Sequence, residues 1–402
     1  MAERRILKLG NIKRQNTLAV LDVLRRSNGI SRVELAQALH CDNTTITRVS
    51  SELASLGLIV SGGMNDSTGG RPRELLNLNV DWGMSMGIVL DPNYIIGTLI
   101  DLSGQVKVRE QTFFRRERSL REFCNALEHI GDQLVKAAGK RLLGVGVAAT
   151  GTFSEDGSSL EEVAEFRGLQ NFNILGFFKE RYGLIPEITD IVVARVQNEI
   201  WFKRVAPQGS LLLVHAGAGI GSALALDGKL VFSRKRHGGE LGHNIYQPNG
   251  ELCVCGRHGC LETFCSTGSI ERKLRHLNQG SPPSFENISA LYNDGDERVQ
   301  AVIENAVLYL GIAISNQINN LAPDAVIISG ELLKLGDKFY ERLQKVITEN
   351  VFPFFSRRLK LLRGDSSEAG IAIGAASLVF GRFFSDFEYF NSAIEHLPRG
   401  KK

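Results

Sequence analysis

Long apolar runs are missing from this 402-residue chain. Without a stretch of about 18 uninterrupted apolar residues, the sequence predicts no membrane-spanning helix. The nearest candidate, residues 211–226, is interrupted by His215 and by glycines. The first residues, MAERRILKLG, also lack the apolar segment of a secretory signal peptide. We therefore expect neither membrane insertion nor secretion.

Excess charge is also scarce, because the formal net charge is only +3. The length suits two or three domains, and 43% hydrophobic with 23% charged residues is ordinary for a soluble globular protein. Residues 1–80 hold eleven Lys and Arg against seven Asp and Glu, so the remaining chain is close to neutral. A basic first segment before a neutral body favours a nucleic-acid partner for that segment.

Cysteine is scarce as well, and three of the six cysteines fall within one short segment. The thiols of Cys253, Cys255 and Cys260, with one imidazole, are enough to surround a tetrahedral Zn²⁺, and a closed Cys₃His set is a structural site. Gly256 and Gly259 allow the tight turn that such a loop requires. The segment predicts a zinc site, with three buried free thiols as the alternative.

Three histidines compete for the fourth position of this site. His243 precedes the first thiol by ten residues, His258 lies inside the loop, and His237 is a weaker candidate. Unpaired cysteines and a zinc-type motif together indicate a cytoplasmic protein.

The N-terminal segment predicts a winged helix-turn-helix. Ser31 followed by Glu34 is a capping box that starts the second helix, and Asp42 or Asn43 caps the third. Gly57 ends the third helix. The predicted elements are helices over 16–26, 31–39 and 43–56 and strands over 58–60 and 74–78.

The third helix offers a polar face that suits DNA. Hydroxyl, amide and guanidinium groups can contact base edges and phosphates in a major groove. The turn Gly69-Gly70-Arg71-Pro72-Arg73 places two guanidinium groups on a wing that fits a narrow minor groove. A solvent-exposed face of a small helical domain is the alternative. The residues predicted to contact DNA are Asn43, Thr44, Thr45, Thr47, Arg48, Arg71 and Arg73.

From Gly83 onward the pattern is α/β, with strand triplets and crossover helices appearing twice. This predicts a duplicated body with a cleft between two lobes. The predicted strands are 85–90, 94–101, a third after the turn at 102–105, 143–149, two within 211–227, and 325–329; the predicted helices are 119–138, 304–321 and 369–380.

Two motifs resemble the signature of the ROK family of repressors and sugar kinases. They are G-E-x-G-H at 239–243 and C-x-C-G-x-x-G-C-x-E at 253–262. The resemblance extends from about residue 16 to the C-terminal region and implies an actin-like, RNase H-like fold. It also implies that His243 joins the three cysteines at zinc, and that Glu240, His243 and Glu262 bind sugar hydroxyls, because carboxylates accept several hydrogen bonds. The Gly-Arg-Pro wing agrees with the repressors.

The chain departs from the kinase pattern of that family at several elements. The phosphate turn D-x-G-G-T is replaced by Asp91-Pro92-Asn93-Tyr94, in which Pro92 lacks an N–H donor. The second phosphate turn carries Ala218 in place of a hydroxyl residue. The position of the general base falls on Ile191 when the motifs are laid without gaps, or on Asp190 with a one-residue shift. Thr150-Gly151 replaces Pro-Gly in the sugar-side loop.

These observations predict an α/β protein with a winged helix-turn-helix at 1–80 and a ROK body at 81–402, whose lobes cover about 81–200 and 201–402. We interpret it as a repressor without kinase activity, which binds a double-stranded DNA operator as a homodimer or homotetramer. A sugar or sugar phosphate is expected at Glu240, His243, Glu262 and Asp190. The alternatives are a sugar kinase with a DNA-binding extension, a regulator controlled by a protein partner, and a body without a ligand.

Overall fold

The computed structural model describes residues 9–65, 73–114, 119–163, 166–203, 209–231, 238–278 and 283–396. The helices are α1 Leu9–Arg26, α2 Arg32–Ala38, α3 Asn43–Ser55, α4 Leu120–Ala138, α5 Ile174–Tyr182, α6 Ile191–Trp201, α7 Glu262–Cys265, α8 Thr267–Lys273, α9 Phe285–Asp294, α10 Glu297–Leu321, α11 Asp337–Asn350, α12 Pro353–Ser356, α13 Glu368–Ser385 and α14 Phe387–His396. The strands are β1 Ile30–Ser31, β2 Ile59–Asn65, β3 Arg73–Leu78, β4 Met84–Asp91, β5 Tyr94–Asp101, β6 Val106–Phe113, β7 Leu142–Ala149, β8 Thr152–Phe153, β9 Leu160–Glu162, β10 Glu187–Asp190, β11 Ser210–Ala216, β12 Ile220–Leu226, β13 Lys229–Leu230, β14 Ala325–Ser329 and β15 Lys360–Arg363.

The N-terminal module contains α1, α2, α3 and a three-stranded antiparallel sheet in the order β1-β3-β2. The capping box is present, since Glu34 accepts a hydrogen bond from the Ser31 N–H at 2.8 Å and returns its own N–H to the Ser31 hydroxyl. Asp42 caps α3 by accepting from the Thr45 N–H at 2.7 Å. Two predictions differ in extent: α1 begins at Leu9, and the short strand β1 adds to the predicted hairpin.

The body contains two five-stranded sheets with the same topology. Their orders are β10-β7-β4-β5-β6 and β13-β12-β11-β14-β15. In each, three antiparallel strands are followed by two parallel ones, so both sheets follow the order 3-2-1-4-5 in their own chain sequence. The predicted duplication is therefore present in the strand topology. We call the sheet that contains β4 the first sheet and the one that contains β11 the second sheet.

Helix α13 closes the first sheet although it lies near the end of the chain. A Cβ on Gly87 of β4 or on Gly146 of β7 would collide with the backbone carbonyl of Ala372 or Ala375. Glycine at these two positions lets the helix backbone lie directly on the strands. Helix α13 therefore forms a layer on one face of the first sheet.

Helix α6 lies between the two sheets and has an apolar face toward each. Ile191 and Ala194 pack with residues of β4, β7 and α13. Val192 and Val196 pack with residues of β11, β12 and β14. A single helix is therefore in contact with both halves of the body.

The N-terminal module and the body share one hydrophobic core. It joins buried leucines of the module, such as Leu21 and Leu53, to Trp82 and to Phe380 and Phe383 of α13. Because these side chains form one continuous cluster, a displacement of α13 or of a neighbouring helix changes the packing of the module.

Within the described residues, two helices are long and apolar enough to cross a membrane by length and composition, α10 and α13. Half of the apolar window of α10 and 61% of that of α13 are buried inside the protein. Both helices have the burial of core helices, so they are weak indicators of a membrane span.

Candidate metal centre and ligand cleft

Four side chains from the turn Leu241–His243 and from the loop that precedes α7 converge on one point. The ligand atoms of His243, Cys253, Cys255 and Cys260 all lie within 4.8 Å of one another. The His243 Nδ1 lies 3.6 Å from the Cys253 Sγ, and the Cys255 and Cys260 Sγ atoms are also 3.6 Å apart. Zn–S bonds of about 2.3 Å and Zn–N bonds of about 2.0–2.1 Å place tetrahedral ligands about 3.6–3.8 Å apart. The donor set and its spacing therefore fit a tetrahedral zinc.

Backbone hydrogen bonds shape the loop that carries the three thiols. The Cys253 N–H donates to the Arg257 carbonyl at 2.8 Å, and the Gly256 N–H returns to the Cys253 carbonyl at 2.9 Å. Gly256 and Gly259 have φ of +81° and +72°, in the left-handed region that glycine tolerates. A Cβ on Gly259 would also overlap the Gln247 carbonyl. The glycines are thus required by the turn, as the sequence predicts.

Of the two alternative ligands, His258 lies away from the cluster. Its Nδ1 is 2.8 Å from the Gly250 carbonyl oxygen, and it is not part of the four-residue group found in the described residues. His237 lies outside the described residues. At Cys255, burial opposes ionisation, but the backbone and side-chain N–H groups of Arg257 lower its pKa to about 6. A low thiol pKa favours the thiolate, which is the form that binds metal.

The two glutamates of the motifs lie beside this centre. Glu240 immediately precedes the turn Leu241–His243, and Glu262 begins α7 two residues after Cys260. The Glu262 Oε2 accepts a hydrogen bond from the Ile220 N–H at 3.2 Å. Ile220 follows the glycine-rich turn of residues 217–219, which joins β11 to β12. Burial raises the pKa of Glu262, the nearby His243 opposes this rise, and the charge of Glu240 adds to it. Both carboxylates thus share one electrostatic environment.

The structure also separates Asp190 from Ile191. Ile191 packs into the apolar cluster beneath the first sheet, whereas Asp190 caps α6 and accepts from the Val193 N–H at 2.8 Å. Burial raises the pKa of Asp190, and the negative charge of Glu240 raises it further. The charge of Glu240 therefore acts on Asp190, whereas Ile191 lies in an apolar cluster. We call the space around Asp190, Glu240 and Glu262 the ligand cleft.

A cavity of about 180 Å³ extends from the ligand cleft. Asp190, Ser222 and Gly239 contribute polar groups to its wall, and leucines of β11, β12 and β13 contribute apolar ones. The Gly239 carbonyl accepts from the Ser222 N–H at 2.7 Å, which holds the motif that bears Glu240 against β12.

A buried polar cluster that sequence reasoning missed lies between the two sheets. Arg195 on α6 is 3.5 Å from the Glu331 carboxylate, and the His215 Nε2 is 3.6 Å from the other oxygen of that carboxylate. Arg195 also donates to the Asp365 and Ser367 carbonyls at 2.9 and 3.2 Å. The available signals in the sequence were an arginine among the valines of α6 and a histidine near the end of the apolar strand β11.

This cluster lies beside two turns, the glycine-rich turn at residues 217–219 and the turn at residues 91–94, which stand where the kinases of the family have their phosphate turns. A Cβ on Gly217 of the glycine-rich turn would overlap the Glu331 carboxylate. On the other side, Asp91 and Tyr94 face each other across a two-residue turn, and Thr150 donates to Asp91 at 2.9 Å. Burial raises the pKa of Tyr94, and Asp91 and Glu331 raise it further. The side chains of Glu331, Asp91 and Tyr94 therefore occupy the space beside these two turns.

We expect the buried His215 to make the fold sensitive to mild acid. Burial, together with Arg195, lowers its pKa from 6.5 to about 4, although Glu331 opposes the shift. Below the unfolded pKa only the unfolded chain takes up the proton, so stability falls as the pH is lowered toward the folded pKa. This single group costs about 2 kcal/mol of unfolding free energy between pH 7 and pH 5. Urea unfolding of His215→Gln at both pH values should show a correspondingly smaller loss; an unchanged loss would contradict the assignment.

The described residues that are predicted to contact DNA lie on α3 and at the start of β3. Asn43, Thr44, Thr47 and Arg48 are exposed, while Thr45 is half-buried. The Thr45 hydroxyl donates to Asp42 and that of Thr47 to the Asn43 carbonyl, so both donors are already used. Among the described residues, Thr44 and Arg48 have no side-chain hydrogen bond, which leaves them available to a partner. Arg73 is exposed, and Arg71 lies outside the described residues.

Arg32 fixes the orientation of α3 relative to the sheet of the module. It donates to the Ser50 hydroxyl on α3 at 3.1 Å and pairs with Glu74 on β3 at 2.7 Å. One side chain on α2 therefore connects α3 to β3.

Comparison with known proteins agrees with these features. A xylose repressor from Caldicellulosiruptor bescii is 25% identical over 393 residues, which cover 94% of this chain and 98% of the relative. Among solved structures, a ROK family transcriptional regulator, a homolog of the E. coli MLC protein, has a TM-score of 0.79 at 23% identity and covers 96% of this chain and 99% of its own. A ROK family glucokinase from Streptomyces griseus, in complex with glucose and AMPPNP, has a TM-score of 0.64 at 18% identity and covers 74% and 99%. The model of the ROK family matches residues 85–382, well over half of the sequence, and this chain belongs to the ROK family.

Proposed function

We propose that this protein is a cytoplasmic, sequence-specific DNA-binding repressor that is controlled by a sugar or sugar phosphate and has no kinase activity. The observation that carries the proposal is the extent of the similarities. The xylose repressor aligns with 94% of the chain, whereas the glucokinase covers 74% of it while using 99% of its own length. The family model begins at residue 85, so the N-terminal module is additional to the part shared with kinases.

The N-terminal module, residues 1–80, is proposed to be a winged helix-turn-helix in which α3 enters the major groove. Support comes from the exposed polar side of α3, opposite its buried Ile46, Val49 and Leu53. Residues 81–402 form the regulatory body, for which we propose an actin-like arrangement. A dimer or tetramer would present two or more modules to paired half-sites, as helix-turn-helix operators require.

We propose that the cysteine cluster holds a structural Zn²⁺ through His243, Cys253, Cys255 and Cys260. The metal supplies no chemistry in this role and crosslinks the loop. Because the Nδ1 of His243 lies toward the thiols, the other edge of its imidazole is available to a ligand near Glu262. Fixing His243 and Glu262 in this way would preorganise the sugar site.

The absence of kinase activity is proposed from the residues in the cleft. A transferred phosphoryl group requires backbone N–H donors and a counter-ion that neutralise its charge. Here the Glu331 carboxylate lies against the glycine-rich turn, and Pro92 occupies the other turn without an N–H. The Glu331 carboxylate, which is paired with Arg195, takes the space beside the turn that the phosphates of a nucleotide would need.

The direct test is a binding experiment with purified protein. D-xylose, D-glucose, glucose 6-phosphate and ATP are added to a thermal unfolding assay, and the sugar that stabilises the protein is added to a DNA-binding assay. The duplex is selected by the protein from a random library. We expect one sugar compound to raise the Tm and to weaken DNA binding, and ATP to have no effect. Stabilisation by ATP with phosphotransfer would support the kinase alternative. DNA binding that no sugar changes would support control by a protein partner.

Asp190→Asn sharpens this test. The neutral amide can still cap α6, so the Tm should stay unchanged or rise slightly, because a buried carboxylate is removed. Sugar affinity should fall about 10-fold or more, since hydrogen bonds to a charged group contribute about 1.5–3 kcal/mol. Asp296→Asn changes the N-cap of α10 in the same way and should leave sugar affinity intact. Equal affinities in both variants would remove Asp190 from the site.

A further inference from the structure

We infer that helix α6 transmits the presence of a sugar to the DNA-binding module, and that the contact between Trp201 and Arg25 is its output. The inference rests on the proposed function and concerns how the sugar site is coupled to DNA. Helix α6 has 11 residues, Ile191–Trp201, and is about 16 Å long at 1.5 Å per residue. Its two ends lie at the two sites that a regulator must couple.

The N-terminal end of α6 is part of the ligand cleft. Asp190 caps the helix through the Val193 N–H, and its carboxylate is in the electrostatic field of Glu240. A sugar that bridges Asp190 and Glu240 would bind to α6 on one side and to the motif held against β12 on the other. Binding therefore changes the forces on the helix at its first turn.

The middle of α6 contacts both sheets of the body and the segment that leads into α13. Its two apolar faces pack on the two sheets. Arg195 holds the segment that leads from β15 to α13, and Glu199 accepts from the Asp365 N–H of the same segment at 3.0 Å. A helix held on all sides moves as a rigid body rather than bending.

The C-terminal end of α6 touches the DNA-binding module. The Arg25 guanidinium, on α1, lies 3.8 Å from the centre of the Trp201 ring and 5.9 Å from that of Phe384. Asp22 accepts a hydrogen bond from the same guanidinium at 2.8 Å, so the charge is held between a carboxylate and an indole face. A partly desolvated cation over a tryptophan is a directional contact, which is lost when the ring is displaced. Movement of α6 is therefore converted into movement of α1.

A second contact between module and body provides a matched control. Arg14, also on α1, lies 5.2 Å from the centre of the Phe387 ring and pairs with Glu388 at 2.8 Å. This contact joins the same two bodies with the same chemistry, but it reaches α14 instead of α6. If coupling passes through α6, it depends on Arg25 and is independent of Arg14.

The experiment measures the operator Kd with and without sugar in four variants. The duplex is the one selected from the random library, and the sugar is whichever of D-xylose and D-glucose stabilises the wild-type protein more. For wild type we expect a sugar-induced change of about 5- to 150-fold, the usual range of allosteric coupling. Arg25→Gln and Trp201→Ala should reduce it to about 2-fold or less, with the sugar Kd and the sugar-free operator Kd within about 3-fold of wild type. Trp201→Phe, which keeps a ring, and Arg14→Gln should keep most of the coupling.

The outcomes separate the inference from the proposed function. A sugar response in Arg25→Gln equal to that of wild type overturns the inference and leaves the proposed function intact. A sugar-free operator Kd that collapses in Arg25→Gln also overturns it, because the contact would then only support the module. Equal losses in Arg14→Gln and Arg25→Gln would show that coupling is not specific to α6. A wild-type protein without any sugar response would overturn the proposed function itself.

Discussion

Cys260→Ser should remove the metal from the protein and lower the Tm by on the order of 10 °C, the largest stability effect that we expect of a single exchange here. Cys260 is fully buried, and its sulfur lies 3.6 Å from that of Cys255. In this variant two thiols, one hydroxyl and one imidazole lie together without a metal ion to join them. Metal content by mass spectrometry or elemental analysis, together with thermal unfolding, measures both effects.

The same exchange should also abolish the sugar response. Glu262 follows Cys260 by two residues and is held by the Ile220 N–H, so a loosened loop displaces a proposed sugar ligand. Cys124→Ser is the control, because this partly buried thiol lies on α4, on the face of the first sheet opposite α13, and the variant should retain metal and response. A Cys260→Ser protein that keeps its metal, or that loses it without a change in Tm, would refute the structural role of the cluster.

Arg48→Ala should weaken binding to the selected operator by about 5- to 150-fold, since a specific contact of arginine with guanine contributes about 1–3 kcal/mol. Arg48 is exposed on α3, so its removal creates no cavity and the Tm should stay within about 1 °C of wild type. Fluorescence anisotropy at fixed ionic strength gives the two affinities, and the loss should be smaller for unrelated DNA.

Arg109→Ala provides the matched control for this prediction. Arg109 is an arginine on β6 of the body, and its exchange also removes one positive charge. If both variants lose operator affinity equally, general electrostatics would explain the effect. If neither does, α3 does not read the operator.

Local features of the fold were predictable because they depend on neighbouring residues. The predicted capping box at Ser31 forms as a hydrogen-bonded pair, and the strand pattern of the body is present with shifts of a few residues. The cysteine spacing predicted the metal cluster because a short loop with two glycines has few ways to arrange its thiols. Membership of the ROK family followed from the same motifs and is confirmed.

Long-range features were not predictable from the same patterns. Strand β1 has two residues and exists only because β3 offers it an edge. The choice between Asp190 and Ile191 depended on where β10 ends and α6 begins, which an ungapped alignment places one residue away. The contact of Arg195 with Glu331 joins residues far apart in sequence, and neither belongs to a motif. Such contacts follow from topology rather than from local propensity.

The placement of α13 beneath the first sheet has a consequence for biosynthesis. The end of β7 at Ala149 and the start of α13 at Glu368 are 219 positions apart. At a synthesis rate of about 5–20 residues per second, the ribosome needs about 10–40 s to make the intervening chain. Throughout that time the glycine- and alanine-rich face of β4 and β7 lacks its natural cover. We therefore expect the nascent first sheet to benefit from chaperone protection, and a premature stop before Glu368 to leave it open to aggregation.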